Sequence, residues 1–286
     1  MTSKDGLVWE NDQRWSDNDV GGKAGALLDI AYGAGYFMAV GGKGKTDEIL
    51  VSRDGRAWEE LMDGDGRIET VTFGNGHFVT VQEGRLQLSA EIDPRAFQWS
   101  DALPWKGAIH ARRCACGDTE AGFRYVFIGD ADLERDQRHA FWRGSSETGM
   151  RWDHSMLDTP EVRDIAYGAG FFVVVGPDGR IESSHDGQTW TVRAATPNEE
   201  FSRIVWTGKR FFVTGGTTPW TSPDGIAWTK ENSAIPCRVV WAREGLISFG
   251  VSWSGDFYVS SNLSEWNKIA LPLGPALRAV AYRPEE

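Results

Sequence analysis

The feature that most constrains this chain is a seven-residue signal that recurs along its whole length and closes on tryptophan. Clean copies read Ser-x-Asp-Gly-x-x-Trp at Ser3–Trp9, Ser52–Trp58, Ser184–Trp190 and Ser222–Trp228. Ser146–Trp152 has Thr148 at the Asp position, and Ser260–Trp266 has Asn262 and Leu263 for Asp-Gly. A seventh copy, around Ser89–Trp99, keeps little beyond the Trp. The steps between the Trps are 49, 41, 53, 38, 38 and 38 residues. A period of about forty, with turn chemistry in each copy, specifies an array of small units rather than one continuous core.

A second signal runs in phase with the first. Asp29–Gly41 and Asp164–Gly176 each read as a strand, a Gly turn and a second strand, with weaker copies near Thr70, Arg113, Arg203, Arg238 and Ala279. The runs are short, rich in β-branched and aromatic residues, and bounded by Gly, which is strand punctuation. One unit is therefore strand a, Gly turn, strand b, loop, strand c, box turn and strand d. In the box, Asp5, Asp54, Asp186 and Asp224 can bond the backbone of their own turn, and the Gly supplies positive φ. Two residues into strand d, Trp9, Trp58, Trp190 and Trp228 can cover the apolar side of the hairpin. The box reads as a folding staple, not as a row of ligand sites.

Four-stranded units of this length around an axis make a β-propeller. The pattern resembles the Asp-box (bacterial neuraminidase repeat) propellers, a class that includes sialidases and photosystem II stability factors, although this box is one residue shorter between Asp and Gly. The resemblance covers nearly the whole chain and implies a fold more than an activity. The expectation is a single all-β domain over 1–286, a seven-bladed β-propeller of four-stranded antiparallel blades. Its blades fall near 26–66, 67–107, 108–160, 161–199, 200–236 and 237–274, with the seventh built from 275–286 and 1–15. That seventh blade is composite and about a strand short, by trimming, by thinness, or with a strand donated by a partner.

Composition narrows the function classes. A net charge of −11 argues against non-specific nucleic-acid binding, which needs a basic surface. No apolar run approaches a membrane span. Met1–Asp5 is not a secretory signal, so the chain reads as cytoplasmic as given, or as exported if a leader was removed. Cys114 and Cys116 share one strand and Cys237 lies three blades away, so free buried thiols are expected, not a disulfide or a zinc site.

Against the acidic background one place is basic. The first residues of each strand a belong at the channel mouth, on the face of the d-to-a and b-to-c loops. Aligned on Asp29, these positions read Asp29, Thr70, Arg113, Asp164, Arg203, Arg238 and Ala279, preceded by Leu28, Glu69, Arg112, Arg163, Ser202, Cys237 and Arg278. That is six Arg against three acids. A surplus of guanidinium groups in a narrow mouth focuses positive potential and suits carboxylate, sulfate or phosphate. The alternative is inter-blade ion pairing, with Arg113, Asp164 and Arg203 of successive blades forming a bridged run. Trp15, Trp105, Trp220 and Trp253 fall in or near loops of the same face and form a candidate aromatic platform.

The insert in the third unit places Asp130, Asp132, Glu134 and Asp136 at alternate positions, a weak candidate for a hard cation; a solvated acidic loop is the plainer reading. No nucleophile elbow, zinc motif or phosphate loop is present, and the Arg-Ile-Pro-type motif of sialidases is missing. No cofactor is expected. The leading expectation is a non-enzymatic propeller binding an acidic saccharide or an acidic protein segment. The alternatives are a glycoside-processing enzyme using channel-mouth carboxylates such as Asp29 and Asp164, and an assembly factor for a larger complex.

Overall fold

The computed structural model describes residues 2, 10, 26–43, 46–65, 68–82, 85–89, 97–99, 109–132, 139–148, 153–157, 161–216, 218–232, 234–235, 237, 239–242, 248–252, 256–271 and 279–283. Within them every regular element is a β-strand, and six antiparallel four-stranded sheets follow one another along the chain. The first holds β1 (Ala26–Gly33), β2 (Tyr36–Lys43), β3 (Thr46–Ser52) and β4 (Glu59–Asp65). The second holds β5 (Ile68–Gly74), β6 (His77–Gln82), β7 (Arg85–Ser89) and β8 (Phe97–Trp99). The third holds β9 (Ile109–Thr119), β10 (Gly122–Asp132), β11 (His139–Ser146) and β12 (Asp153–Leu157). The fourth holds β13 (Asp164–Gly168), β14 (Phe171–Val175), β15 (Ile181–Ser184) and β16 (Thr191–Ala194). The fifth holds β17 (Arg203–Trp206), β18 (Phe211–Thr214), β19 (Trp220–Ser222) and β20 (Thr229–Lys230). The sixth holds β21 (Val239–Ala242), β22 (Ser248–Val251), β23 (Phe257–Ser260) and β24 (Asn267–Ile269).

The first strands of successive sheets lie side by side, from β1 against β5 through to β17 against β21. The sheets therefore radiate from one axis as the blades of a β-propeller. The pattern of seven four-stranded blades is not reached: the described residues form six. Most of the seventh unit lies outside them. Its described parts are a bridge between Thr2 and Glu10 and the segment 279–283, which is not a strand.

Pairing register corrects the box alignment. Each c-to-d hairpin closes between residues eight apart: Val51 with Glu59, Ser145 with Asp153, Ser183 with Thr191, Thr221 with Thr229 and Val259 with Asn267. Thr2 with Glu10 and Ser89 with Phe97 share that spacing. The box Trp thus precedes strand d by one residue instead of lying within it. Trp99 is inside β8 and is not a box residue; the equivalent position is Ala96, outside the described residues.

The box chemistry is the same in four blades. The Ser52 hydroxyl donates to Asp54 Oδ1 and accepts from the Gly55 amide, while Asp54 Oδ1 also accepts from the amides of Arg56 and Ala57. Trp58 Nε1 closes the turn on the Gly55 carbonyl at 3.0 Å. The boxes of Asp186 and Asp224 repeat these bonds. Asn262 reproduces them with an amide oxygen, and Leu263 takes the left-handed φ of 65° where the others have Gly.

Neighbouring blades interlock through strand a. The glycine ending strand a is not the positive-φ turn residue that the sequence suggested; it makes room for the next blade. A Cβ on Gly33 would lie inside the Phe73 ring, one on Gly117 inside Tyr167, and one on Gly168 inside Trp206. At Gly74 the slot is shared by the Cys116 thiol and Phe123. Phe123 reaches it because the β9–β10 hairpin continues two residue pairs past Gly117–Arg124. The turn itself uses the next two residues, such as Ala169 at φ 49° and Gly170 at φ 79°, as a two-residue hairpin of the I′ type requires. Each ring also tilts against a strand-b aromatic, Tyr167 on Phe172 and Trp206 on Phe211 with centroids 4.8 Å apart. Burying such a ring stabilises by about 2 kcal/mol.

Two outcomes follow from this packing. Gly168→Ala overpacks the blade 4–blade 5 seam and lowers unfolding stability by about 1–3 kcal/mol. Ala169→Gly, one residue on, relieves a left-handed Ala and raises stability by roughly 0.5–1 kcal/mol. Urea midpoints of the two variants move in opposite directions.

The box carboxylates give a pH dependence. The Ala57 and Arg56 amides hold Asp54 below the ordinary 3.8, as Ala227 and Ile226 hold Asp224. At Asp186 burial pushes upward, but the Thr189 and Gln188 amides and Ser184 outweigh it, and the net shift is down. A depressed native pKa stabilises the fold above the unfolded value and loses that stabilisation as pH falls through the native one. Thermal midpoints are therefore level above pH 3.8 on this account and fall below it. Asp186→Ala, costing about 1–2 kcal/mol at neutral pH, flattens part of that fall.

Candidate functional site

The channel mouth is assembled from the first residues of the inner strands and the loops that lead into them. Asp29 and Asp164 serve the same architectural purpose in blades 1 and 4. Asp29 Oδ2 accepts from the Val71 amide at 3.1 Å and the Thr70 hydroxyl at 2.9 Å, and its Oδ1 accepts from the Ile30 amide. Asp164 Oδ2 accepts from the Ile204 amide at 2.9 Å. Each carboxylate thus ties its own strand a to a backbone N–H of a neighbouring one, a donor that the sheet ladders leave over.

The arginines divide into two kinds. Arg112 Nε lies 2.6 Å from Asp130 and its Nη1 lies 2.9 Å from Glu161. Arg163 contacts Glu200 at 2.6 Å and Glu161 at 3.4 Å. Asp130, Arg112, Glu161, Arg163 and Glu200 form an alternating chain across blades 3 to 5, and the bond to Asp130 raises the Arg112 pKa further. These two arginines pair across blades at short range. Arg113 and Arg203 form, with Asp164, the inter-blade run that the sequence left as an alternative, but at longer range. Both reach Asp164 Oδ1 only at long range, 3.6 Å from Arg113 Nε and 3.7 Å from Arg203 Nη1. Arg113 Nη1 donates to the Arg112 carbonyl at 2.7 Å, and its Nε is out of solvent without a hydrogen-bond partner. Burial pushes the Arg203 pKa down against the pull of Asp164, and Arg113 adds repulsion. Burial pushes the Asp29 carboxyl up, with Arg113 drawing it back.

The described arginines carry no surplus. Four of them meet five acids: Asp29, Asp130, Glu161, Asp164 and Glu200. Sequence alignment missed three of these because Asp130 lies near the end of strand b and Glu161 and Glu200 stand in d-to-a loops. A signal was available, since each loop Glu lies two or three residues ahead of a mouth Arg. Arg238 and Arg278 lie outside the described residues.

The other candidates are placed as follows. Trp220 is half-buried, packs edge-on to Phe201 with centroids 5.9 Å apart, and joins the blade 4–blade 5 core, so it is no open platform. Trp15, Trp105 and Trp253 lie outside the described residues, as do Glu134 and Asp136. Asp130 is committed to Arg112, and Asp132 stands opposite His139 in the β10–β11 pairing. Among the described residues no cluster of three metal-ligating side chains occurs. The cysteines are free. Burial pushes the Cys116 thiol up to about 11 and Cys237 to about 12, with Cys114 also well above the ordinary value. Thiols raised in this way are not nucleophiles.

One buried charge group was not expected from the sequence. Arg143 in β11 pairs with Glu182 in β15 at 2.7 Å, both nearly solvent-free, and Arg180 also bonds Glu182. The Arg143 guanidinium lies 4.3 Å from the centre of the Trp190 ring, so a box Trp takes part in the seam between blades 3 and 4.

No protein-family model matches this sequence, and no curated protein sequence does. Solved structures do resemble it in fold. YCF48 bound to D1 peptide shares 17% identity over 86% of this chain and 82% of that one, with a TM-score of 0.58. A protein from Lactobacillus plantarum gives 12% identity, 87% and 86% coverage and a TM-score of 0.62. The WD40 β-propeller domain of Doa1 gives 10%, 90% and 86%, and 0.60. At these identities the likeness is one of architecture, and it is the β-propeller. Among the described residues no helix is long and apolar enough to cross a membrane.

Removing Asp164 tests the weight of the mouth cluster. Asp164→Ala leaves two confined guanidinium groups and the Ile204 amide without their acceptor, and costs about 3–5 kcal/mol in denaturant unfolding. A loss under about 1 kcal/mol would mean that the cluster is solvated.

Proposed function

We propose that this propeller is a non-enzymatic recognition or scaffold module whose loop-rich face holds an acidic protein segment, with a ligand carboxylate seated between Arg113 and Arg203. The observation that carries this reading is the contrast between the two kinds of arginine. Arg112 and Arg163 are satisfied by short contacts. Arg113 and Arg203 share one carboxylate beyond hydrogen-bond range, and Arg113 Nε has no acceptor. A guanidinium does not shed its proton, and a buried N–H left unbonded costs about 1–3 kcal/mol. A ligand carboxylate can engage those guanidinium N–H groups of Arg113 and Arg203 that stay in contact with water, since both side chains are partly exposed.

Trp220, the one described member of the aromatic platform, packs edge-on to Phe201 in the blade 4–blade 5 core, which gives an acidic saccharide less support than a protein segment. YCF48, of the same fold, was solved with a D1 peptide bound. The glycoside-processing alternative gains nothing from Asp29 and Asp164, which are occupied by backbone amides of neighbouring blades. We further infer an Asp-box propeller closed by a composite seventh blade. Supporting this, Glu10 meets Arg56 at 2.8 Å just as Asp153 meets Gln188 at 3.1 Å at the seam between blades 3 and 4. From the other end, Val280 packs on Val251, Phe257 and Val259 of blade 6, as Ile204 packs on Val173 and Val175 of blade 4.

Isothermal titration with a hexaglutamate peptide at low salt tests the site. The wild type binds, the double variant Arg113→Ala/Arg203→Ala loses at least about tenfold in affinity, and Arg210→Ala on the opposite face does not. Equal binding by the double variant and the wild type discards the site.

A further inference from the structure

We propose that Cys114 and Cys116 form a two-thiol site on the inner strand of blade 3 and that it takes one copper(I) ion as a linear bis-thiolate. Both residues stand on β9, at places that the other blades fill differently. Cys114 occupies the position of Ile30, Val71, Ile165 and Ile204, and Cys116 that of Tyr32, Phe73, Tyr167 and Trp206. In these aligned columns blade 3 is the one that replaces the aliphatic and the aromatic together. The missing ring is supplied from elsewhere, because Phe123 covers Gly74 beside the Cys116 thiol. The two strand positions are left to sulfur.

The ladder sets both thiols on one face. Cys114 pairs with Phe127 and Cys116 with Tyr125 in unbroken register, and the irregularity of this hairpin falls on the far side of Arg113. Ala115, between them, packs the other way into the blade 3–blade 4 core. Cys116 Sγ lies 3.2 Å from the Phe73 carbonyl and 3.5 Å from the Thr72 hydroxyl, so the shared face is the one toward blade 2. Cys114 Sγ lies 3.7 Å from the Ala115 carbonyl and therefore leans along the strand toward Cys116. Both cysteines keep some contact with solvent, whereas Cys237 is buried.

Spacing favours a metal over a disulfide. Cα atoms two residues apart on a strand are separated by about 6.7 Å, at the upper end of the roughly 4.4–6.8 Å that a disulfide spans. A metal inserts two bonds of about 2.3 Å between the sulfurs and removes that stretch. Ligand count then selects the ion. Among the described residues no third metal-ligating side chain joins the pair. Zinc in a structural site requires four ligands, while two soft thiolates suffice for copper(I). On binding, two S–H bonds break, two Cu–S bonds form and two protons pass to the buffer. Copper stays in the +1 state throughout.

Anaerobic titration of the whole chain with copper(I), in competition with the chromophoric chelator bicinchoninate, reads stoichiometry and affinity. The wild type withdraws one equivalent from the chelator. X-ray absorption of that complex shows two sulfur neighbours and no imidazole, a readout that needs no variant. Cys114→Ile gives blade 3 the residue of blades 1, 4 and 5 and loses the bound equivalent. Cys116→Ser, nearly unchanged in volume, loses it too, and Cys237→Ser binds as the wild type does. Urea midpoints establish that each variant is folded. An equivalent retained by folded Cys114→Ile or Cys116→Ser overturns the site, as does one lost with Cys237→Ser. Imidazole in the copper sphere, or no copper withdrawn by the wild type, overturns it as well.

Discussion

The structure depends on an aromatic ring of one blade lying on a bare backbone of the blade before it. A radial sheet presents its two faces to its neighbours and only one edge to the axis, so blades hold together by what their faces bury. At the seams of Gly33, Gly117 and Gly168 the closest approach is a ring from Phe73, Tyr167 or Trp206 over a glycine that ends strand a. The ring needs the space of a missing side chain, and that glycine would have little reason to be there without the ring. Each is the condition of the other. Two residues earlier on the same inner strands, Ile204 packs with Val173, Val175 and Phe211, and Val71 with Met38 and Val40. Seam geometry is thereby fixed at two levels along the inner strand.

The box turns serve a different purpose at the outer edge. Strand d has one paired side, and several of these strands are very short, such as β20 and β24. A two- or three-residue strand is held poorly by ladder bonds alone. The carboxylate that collects two amides and a hydroxyl, together with the Trp bonded back to the Gly carbonyl, fixes the turn and so holds strand d in register. The turn tolerates Asn262 and Leu263 because the bonding pattern needs an sp² oxygen and a left-handed residue, not a charge and a glycine as such. A non-glycine there costs about 1–2 kcal/mol, and Leu263 offsets part of this by packing with Phe212 and Cys237.

Most of this was legible in the sequence where a repeat stated it several times. The strand-a frame, the box and the hairpin order were each written in four or more copies, and the paired registers follow them. Where a single copy had to be read alone, letters misled. Trp99 stood in for a box Trp because a Trp occurs near the right distance, whereas pairing of Ser89 with Phe97 puts Ala96 there. The glycines ending strand a looked like turn residues because the true turn lies one residue on. Charge balance was the least legible. An aligned column shows which residues share a position in successive blades, not which loop leans over them. Glu161 and Glu200 reach the mouth from loops, and Asp130 from the far end of strand b.

That difference also explains why the outer and inner arginines are not equivalent. Arg112 and Arg163 stand one residue ahead of the inner ring, where side chains meet the loops and their acids, and short ion pairs can form in partial contact with water. Arg113 and Arg203 stand on the inner ring itself, and among the described residues their counter-charge comes from Asp164 on another inner strand. Asp164 cannot move toward either arginine without giving up the Ile204 amide, because the same carboxylate is also the staple between blades 4 and 5. Its place is therefore set by the seam, and the two guanidinium groups are left at 3.6 and 3.7 Å. A rigid fold has imposed a long ion pair, and a long ion pair in a confined mouth is one that a better-placed anion can improve.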